Sequence, residues 1–439
     1  MSKKLKPFAL FLCIGTALFL LFGWKLVQNR VVLDFSKPDT DRAEWEGVIS
    51  VWDYPRPLLG EGSNFGWIRD RIREFEKAHP GVFIDLYTLD WGEGRRQLDL
   101  AVDHGMCPDI APVGDNLGYV DREALEPLDR FITPEEINTY QNYALGAVTH
   151  KGSLWGVPLY CVAPAMILNL DCFAEAGVAP PEDGKWTYRE FVEALRQLTV
   201  DGDGDDSPKQ YGFGAYLQNG YYNLWGIVFS DGWGIYDPVN GNYRVDTPEA
   251  VSGLEKLARL VLEYGVAGED LATVSQALAW KAFAVDKRVA VYPEGAWAVR
   301  ELNKLRSEGR GFEFGIAEYP AGALGYAVTV GEVAAYGVFR QQNEQKLSMC
   351  VKFIRYLAES LRQQDMTGTG LLPVRGDDSG GRNGLEEDER VIVIPKLDNW
   401  YKVEDVINRA ISRVLLGEME PSQAFSEAQR EIDGLHAGD

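Results

Sequence analysis

The chain has few of the groups that carry metal or nucleophilic chemistry. Among its 439 residues are only four histidines, His79, His104, His150 and His436. None is spaced as a metal ligand with another histidine or with a cysteine, which argues against a His/Cys metal site. The five cysteines (Cys13, Cys107, Cys161, Cys172 and Cys350) form no Cys-x-x-Cys pair. Cys13 lies in the N-terminal apolar run and the others read as small buried hydrophobes; an oxidising compartment would allow Cys161 to pair with Cys172. Basic charge is also scarce. Lys and Arg number 44 against 66 Asp and Glu, a formal net charge of −22. That balance excludes the basic footprint nucleic-acid binding requires and fits a self-repelling, soluble surface. No internal repeat and no low-complexity tract interrupts the chain. What is present is apolar mass: 46% hydrophobic residues over a length that predicts two or three domain-sized units.

The first residues read as an address. Lys3, Lys4 and Lys6 precede a nearly charge-free run from Pro7 to Trp24, with Lys25 and Arg30 beyond it. A basic start before an apolar core is the order of a signal sequence. The run approaches the roughly 20 residues that span a bilayer, and no small-x-small cleavage site follows it. The expectation is an uncleaved signal-anchor over residues 1–28, with the remainder outside the cytoplasm. Cleavage at an unrecognised site is the alternative. Residues 29–46 form a polar tether.

From Gly47 the pattern is strand, helix, strand, helix, strand. Ile68, Ile72 and Phe75 share a helical face that His79-Pro80-Gly81 ends. Such alternation predicts a parallel α/β sheet. Gly152–Gly177 is an apolar stretch in which Pro158 and Pro164 forbid one continuous helix. It is expected to leave one α/β lobe and enter another. Thr187 and Glu190 make a capping box, and Thr247-Pro248 starts another helix. Arg288–Tyr292 is a short strand leading through Pro293 to a helix, and is expected to be a second crossing. Two helical patterns close the chain.

Several pieces, in order, resemble one family. Phe75-Glu76-Lys77-Ala78-His79-Pro80-Gly81-Val82 opens the series, followed by Pro108-Asp109-Ile110 after Gly105. Leu154–Tyr160 with Leu168–Gly177, then Trp186-Thr187 with Glu190-Phe191, continue it. Arg288–Trp297 and Gly370–Arg375 complete it. Together they resemble the extracellular solute-binding proteins of ABC importers, sugar-type, over most of residues 47–435. The resemblance implies an α/β, bilobed, periplasmic-binding-protein-like fold: two lobes joined by a multi-segment hinge and preceded here by the N-terminal membrane helix. Residues 47–158 with 293–338 are expected in lobe 1, and residues 159–292 with 339–439 in lobe 2. It also implies a monomer that closes around a carbohydrate and delivers it to ABC permease subunits, without catalysis. The chain departs from the family in its anchor, a helix instead of a lipidated cysteine, and in Leu168-Asn169-Leu170-Asp171, where an aromatic and a lysine are lost.

In open α/β lobes ligands gather at the carboxyl ends of strands. Trp52, Tyr54, Trp91 and Asp109 are therefore candidates in the first lobe, with Tyr160 on the first crossing and Trp297 on the second. Sugars need flat apolar faces and polar groups for their hydroxyls, so Trp52, Trp91, Trp225, Trp233 and Trp297 form the stacking set. Each has core packing as its plain alternative, and Asp109 has a turn cap. Glu294 and Arg375 are expected at hydroxyls or in hinge salt bridges. Asp201, Asp203 and Asp205 resemble the start of a calcium loop, but Asp206 and Gly212 stand where that loop needs Gly and a carboxylate. A solvated acidic turn fits better. Asp378-Ser379-Gly380-Gly381 lacks the histidine context of a serine nucleophile. Two other functions remain open: the same module as a membrane-tethered sensor, and a secreted glycosidase using paired carboxylates.

Overall fold

The computed structural model describes residues 45–57, 59, 63–202, 208–232, 235–237, 242–361, 371–376, 390–397 and 399–436. The expected membrane helix, nearly all of the tether, Trp233, Asp203 and Asp205 thus lie outside the described residues. Among the described residues no helix is long and apolar enough to cross a membrane.

In chain order the principal strands are β1 (Gly47–Asp53), β2 (Val82–Thr88), β3 (Ile110–Pro112), β4 (Val157–Val162), β5 (Ala165–Asn169) and β6 (Tyr211–Phe213). They continue with β7 (Val289–Glu294), β8 (Phe314–Ala317), β9 (Thr329–Val338), β10 (Leu371–Pro373) and β11 (Val391–Val393). They make two main sheets. The first has the order β10-β4-β9-β3-β1-β2, with β11 beside β9; the second has the order β8-β5-β7-β6.

Local sequence explains the elements that position the cleft. Helix α1 (Gly66–Ala78) buries Trp67, Ile68, Ile72 and Phe75 on one face, about 1.5–3 kcal/mol for each large side chain. Helix α2 (Gly94–Asp103) returns the chain from β2 to β3, and both β2 and β3 run parallel to β1. Pro164 sits where β4 ends and β5 begins, so the apolar stretch is two strands in two sheets. Asn169 then caps a short helix, Leu170–Ala176, that Gly177 closes in the left-handed conformation at φ 67°. The Thr187/Glu190 capping box forms on Tyr188–Leu198, and Thr247 caps Pro248–Leu262.

The lobe boundaries differ from those expected. β7 pairs with β5 and β6 and its helix stays on the second sheet, so Arg288–Trp297 does not cross. The second crossing is residues 318–328, between β8 in the second sheet and β9 in the first. The helix Glu344–Ser360 packs on β4, β9 and α1, and so belongs with the first sheet. The third crossing follows β11 and leads to α3 (Trp400–Leu415), which packs on the second lobe's helices. Cys161 and Cys172 fall in different lobes, and both are free thiols.

Candidate functional site

Strand directions locate the cleft. β9 is antiparallel to both β3 and β4, so β4 runs in the same sense as β1, β2 and β3. β4 leads directly into the second sheet; the carboxyl ends of β1–β3 therefore face that sheet. In the second sheet β7 and β8 run antiparallel to β5, and β6 runs with β7, so their carboxyl ends face back. The segments after β1, β2 and β3 and those after β6 and β7 thus meet across the hinge, as the rule for open α/β sheets requires.

The first-lobe wall carries Asp53, Tyr54 and Arg56 after β1. Asp53 is fully buried and receives the Arg56 guanidinium, Nη2 at 2.8 Å and Nε at 3.1 Å. Arg56 Nη1 donates to the Tyr160 hydroxyl at 2.5 Å and its carbon lies 5.1 Å from the Tyr336 ring centre. Such a desolvated pair depends on these extra partners. Tyr160 therefore orders the wall from β4. Tyr54 stacks on Trp91 at 4.5 Å and 11°. Burial pushes the Tyr54 hydroxyl up to about 12. Gly94 is required beneath this stack: a Cβ there would lie 2.6 Å from the Tyr54 ring. Trp91 keeps 69% of its surface exposed, an open aromatic platform.

The second-lobe wall centres on Glu294, at the end of β7 and only 4% exposed. It accepts from the Tyr216 hydroxyl at 2.9 Å, Gly295 N at 2.8 Å and the Asn223 amide at 3.3 Å. Burial raises its carboxyl, and these donors together with Trp297 work against the rise. Half-buried Trp297 lies 4.7 Å from Trp280. Beside Glu294 opens a cavity of about 810 Å³, lined by Gly295, Ala296 and Val299 on one side and by Leu371–Pro373 on the other, with Ala163–Ala165 between. Its volume is near the top of the usual range of roughly 300–1,000 Å³ for small-molecule sites.

Between the walls lies a cluster that sequence reasoning missed. Lys396, on the third crossing, reaches Asp115 at 3.2 Å and pairs with Glu332 of β9. Its ammonium is 5.4 Å from the Tyr222 ring centre. Burial raises the Asp115 carboxyl more than the ammonium lowers it. The two carboxylates raise Lys396 despite burial, so it stays charged. Glu404 of α3, also buried, accepts from Gly220 N at 2.5 Å; burial raises it too. Among the described residues two buried polar atoms here lack partners, Asp115 Oδ2 and the Tyr222 hydroxyl. Buried polar groups are nearly always paired, so such orphans are what a ligand would satisfy.

Other expected site residues lie elsewhere. Asp109 is at the amino end of β3, where it accepts from Ser50 N at 2.7 Å and pairs with Lys346 at 2.7 Å; it braces the sheet. Trp225 is fully buried, its indole donating to Asn408, and belongs to the core. Trp52 packs on the first-lobe cluster and lies 5.0 Å from Tyr87. Arg375 is engaged by Tyr140 and by Glu136 at 3.7 Å. Among the described residues no group of three or more His, Cys, Asp or Glu could hold a metal ion. The strand-end rule could have found Asp115, three residues after β3; nothing local marks Lys396 or Glu404.

A family model, bacterial extracellular solute-binding protein, matches residues 61–360. A Brucella abortus (strain 2308) protein described as a binding protein is 23% identical over 383 residues, 83% of this chain and 88% of its own length. The maltotriose-binding protein of Pyrococcus abyssi is 23% identical over 225 residues, 51% of this chain and 44% of its own. Among solved structures, the cyclic alpha-maltosyl-1,6-maltose binding protein of Arthrobacter globiformis superposes with a TM-score of 0.72 at 19% identity, covering 89% of this chain and 99% of that one. An ABC substrate-binding protein of Listeria monocytogenes in complex with cycloalternan gives 0.69 at 20%, covering 90% and 100%. The fold is the mixed α/β, bilobed one of these proteins.

Proposed function

This chain belongs to the bacterial extracellular solute-binding protein family, and from that premise we propose that it captures a carbohydrate between its lobes and passes it to an ABC permease. The ligand is an oligosaccharide. The observation that carries this is the pairing of aromatic faces with orphaned polar atoms across one cleft. Tyr54–Trp91 and Trp297 offer flat apolar surfaces, while Asp115 and Tyr222 hold polar atoms with no partner among the described residues. The 810 Å³ cavity beside Glu294 leaves room for more than one sugar ring. The relatives named for maltotriose, a cyclic maltosyl-maltose and cycloalternan support a glucan-like cargo. Closure uses the ligand as a bridge, shifting an open–closed equilibrium by its differential affinity. The protein binds and releases its cargo without transforming it, and the N-terminal apolar run holds it as a monomer at the outer face of the membrane.

The test is a thermal-shift screen against mono- and oligosaccharides, with amino acids and polyamines as controls, and product analysis alongside. A ligand that binds only the folded state raises the melting temperature by mass action. A shift with one sugar class and no product is expected, and Trp91→Ala should then weaken binding about tenfold, the value of one aromatic contact. A shift from controls alone refutes the carbohydrate reading; cleaved sugar refutes the absence of turnover.

A further inference from the structure

We infer that the sugar this protein captures is amphiphilic: it carries an aliphatic hydrocarbon group, and the cavity beside Glu294 receives that group. The inference rests on the carbohydrate reading above and adds the second chemistry of the cargo.

The lining of this cavity is unlike the cleft walls. Its large side chains are aliphatic: Ile167, Val299, Ile316, Leu371, Leu372 and Val391. Among the described residues no tryptophan, phenylalanine or histidine lines it. Of its two tyrosines, Tyr319 is 2% exposed with its hydroxyl donating to the Asn223 carbonyl, and Tyr143 donates to the Pro373 carbonyl. The cavity therefore has no open aromatic platform of the kind Trp91 gives the cleft. Its polar groups are largely engaged by the protein itself. Glu318 pairs with Arg390 at 3.2 Å, Thr329 donates to the Pro164 carbonyl at 2.8 Å, and Glu294 accepts from Tyr216, Asn223 and Gly295 N. What remains is Gln141, the exposed Asp183 and one buried nitrogen, Arg390 Nε.

The volume alone would admit sugar rings, but a ring brings hydroxyls on every side, and each one that leaves water without a new partner is costly. A hydrocarbon chain has no such cost and gains by leaving water. Ile316 keeps 51% of its surface exposed, area that a chain in the cavity would cover. The position joins this chain to the sugar. Gly295 and Ala296 line the cavity and are followed at once by Trp297, one of the flat faces of the cleft. Tyr54, Trp91, Asp115, Tyr222 and Lys396 are not among the lining residues. The open aromatic faces and orphaned polar atoms thus belong to one part of the site and the aliphatic lining to another, with Glu294 beside both. Leu371–Pro373 come from the first sheet and Ala296 and Val299 from a helix on the second, so a chain seated between them touches both lobes, as the sugar does on closure.

Isothermal titration tests this with maltotriose, its methyl, butyl and hexyl glycosides, and free 1-hexanol. Each buried methylene should tighten binding about threefold, so the hexyl glycoside should bind tighter than the methyl one by roughly thirtyfold or more. Ile316→Ser should shrink that gain by about threefold or more, and its unliganded unfolding curve checks that it folds. Maltotriose binding with no gain along the glycoside series overturns the inference and leaves the carbohydrate reading standing. The same flat series with free 1-hexanol tightening maltotriose binding also overturns it, since the cavity would then hold a separate effector. Silence from the whole series, the hexyl glycoside included, overturns the inference and removes the glucan-like cargo from the reading it rests on.

Discussion

Lys396→Met removes the ammonium at the centre of the cleft and keeps most of its stem. In the native protein that ammonium lies 3.2 Å from Asp115, and burial raises the Asp115 carboxyl from 3.8 to about 6 even so. A carboxyl whose pKa is higher folded than unfolded binds more protons in the native state. Its effect is to lower stability as pH rises between the two values, and the loss is complete above the higher one. Without Lys396 the Asp115 carboxyl stays protonated to still higher pH. The loss then continues toward neutrality at up to about 1.4 kcal/mol per pH unit, adding about 1 kcal/mol relative to the native protein between pH 6 and pH 7. The lost contact with the Tyr222 ring costs about 0.5–1 kcal/mol at every pH. Glu332 adds little, because its side chain is 42% exposed and water takes over. Urea unfolding should therefore find the variant about 0.5–1 kcal/mol less stable at pH 5.5 and about 1.5–2 kcal/mol less stable at pH 7. A deficit of the same size at both pH values would refute the reasoning, since it would mean that Lys396 does not hold Asp115 ionised.

Three further outcomes are expected. Asp109→Ala should cost about 1–2 kcal/mol in urea unfolding, because it strands half-buried donors on Ser50 and Lys346, yet leave ligand affinity unchanged by calorimetry. Weakened binding in a fully folded variant would return Asp109 to the cleft. Gly253→Ala should cost about 3 kcal/mol, because a Cβ there would lie 1.8 Å from the Val228 carbonyl oxygen and the two helices must separate; wild-type stability would disprove that close approach. Thr187→Ala should cost about 1 kcal/mol through loss of the capping box, read by thermal unfolding, and no change would show the cap to be dispensable.

What the sequence displayed was whatever depends on neighbours in the chain. The Ile68/Ile72/Phe75 spacing, the Thr187/Glu190 box, the Asn169 and Gly177 ends of one helix and the Pro164 break between lobes all act within a few residues, and all stand in the fold. The second crossing was misread for a physical reason. All six residues of β7 are buried, as expected of an inner strand covered on both faces, and that leaves the same continuous apolar run as a strand threading between lobes. The true crossing, residues 318–328, is irregular and has no period to read.

The site was less legible because its meaning is carried by pairs distant in sequence. Trp225 and Trp91 are the same residue type near turns; only packing sends one to 0% exposure and leaves the other at 69%. Asp109 and Asp115 flank the same strand, and strand direction alone decides that the first braces the sheet while the second enters the cleft. The surplus of Asp and Glu over the whole chain reads as solubility, because most of those groups are expected on the surface. Its functional part is the small subset that folding removes from water: Asp115, Glu294 and Glu404 come from three separate segments and acquire significance only when β3, β7 and α3 converge. Net charge therefore says nothing about this cleft.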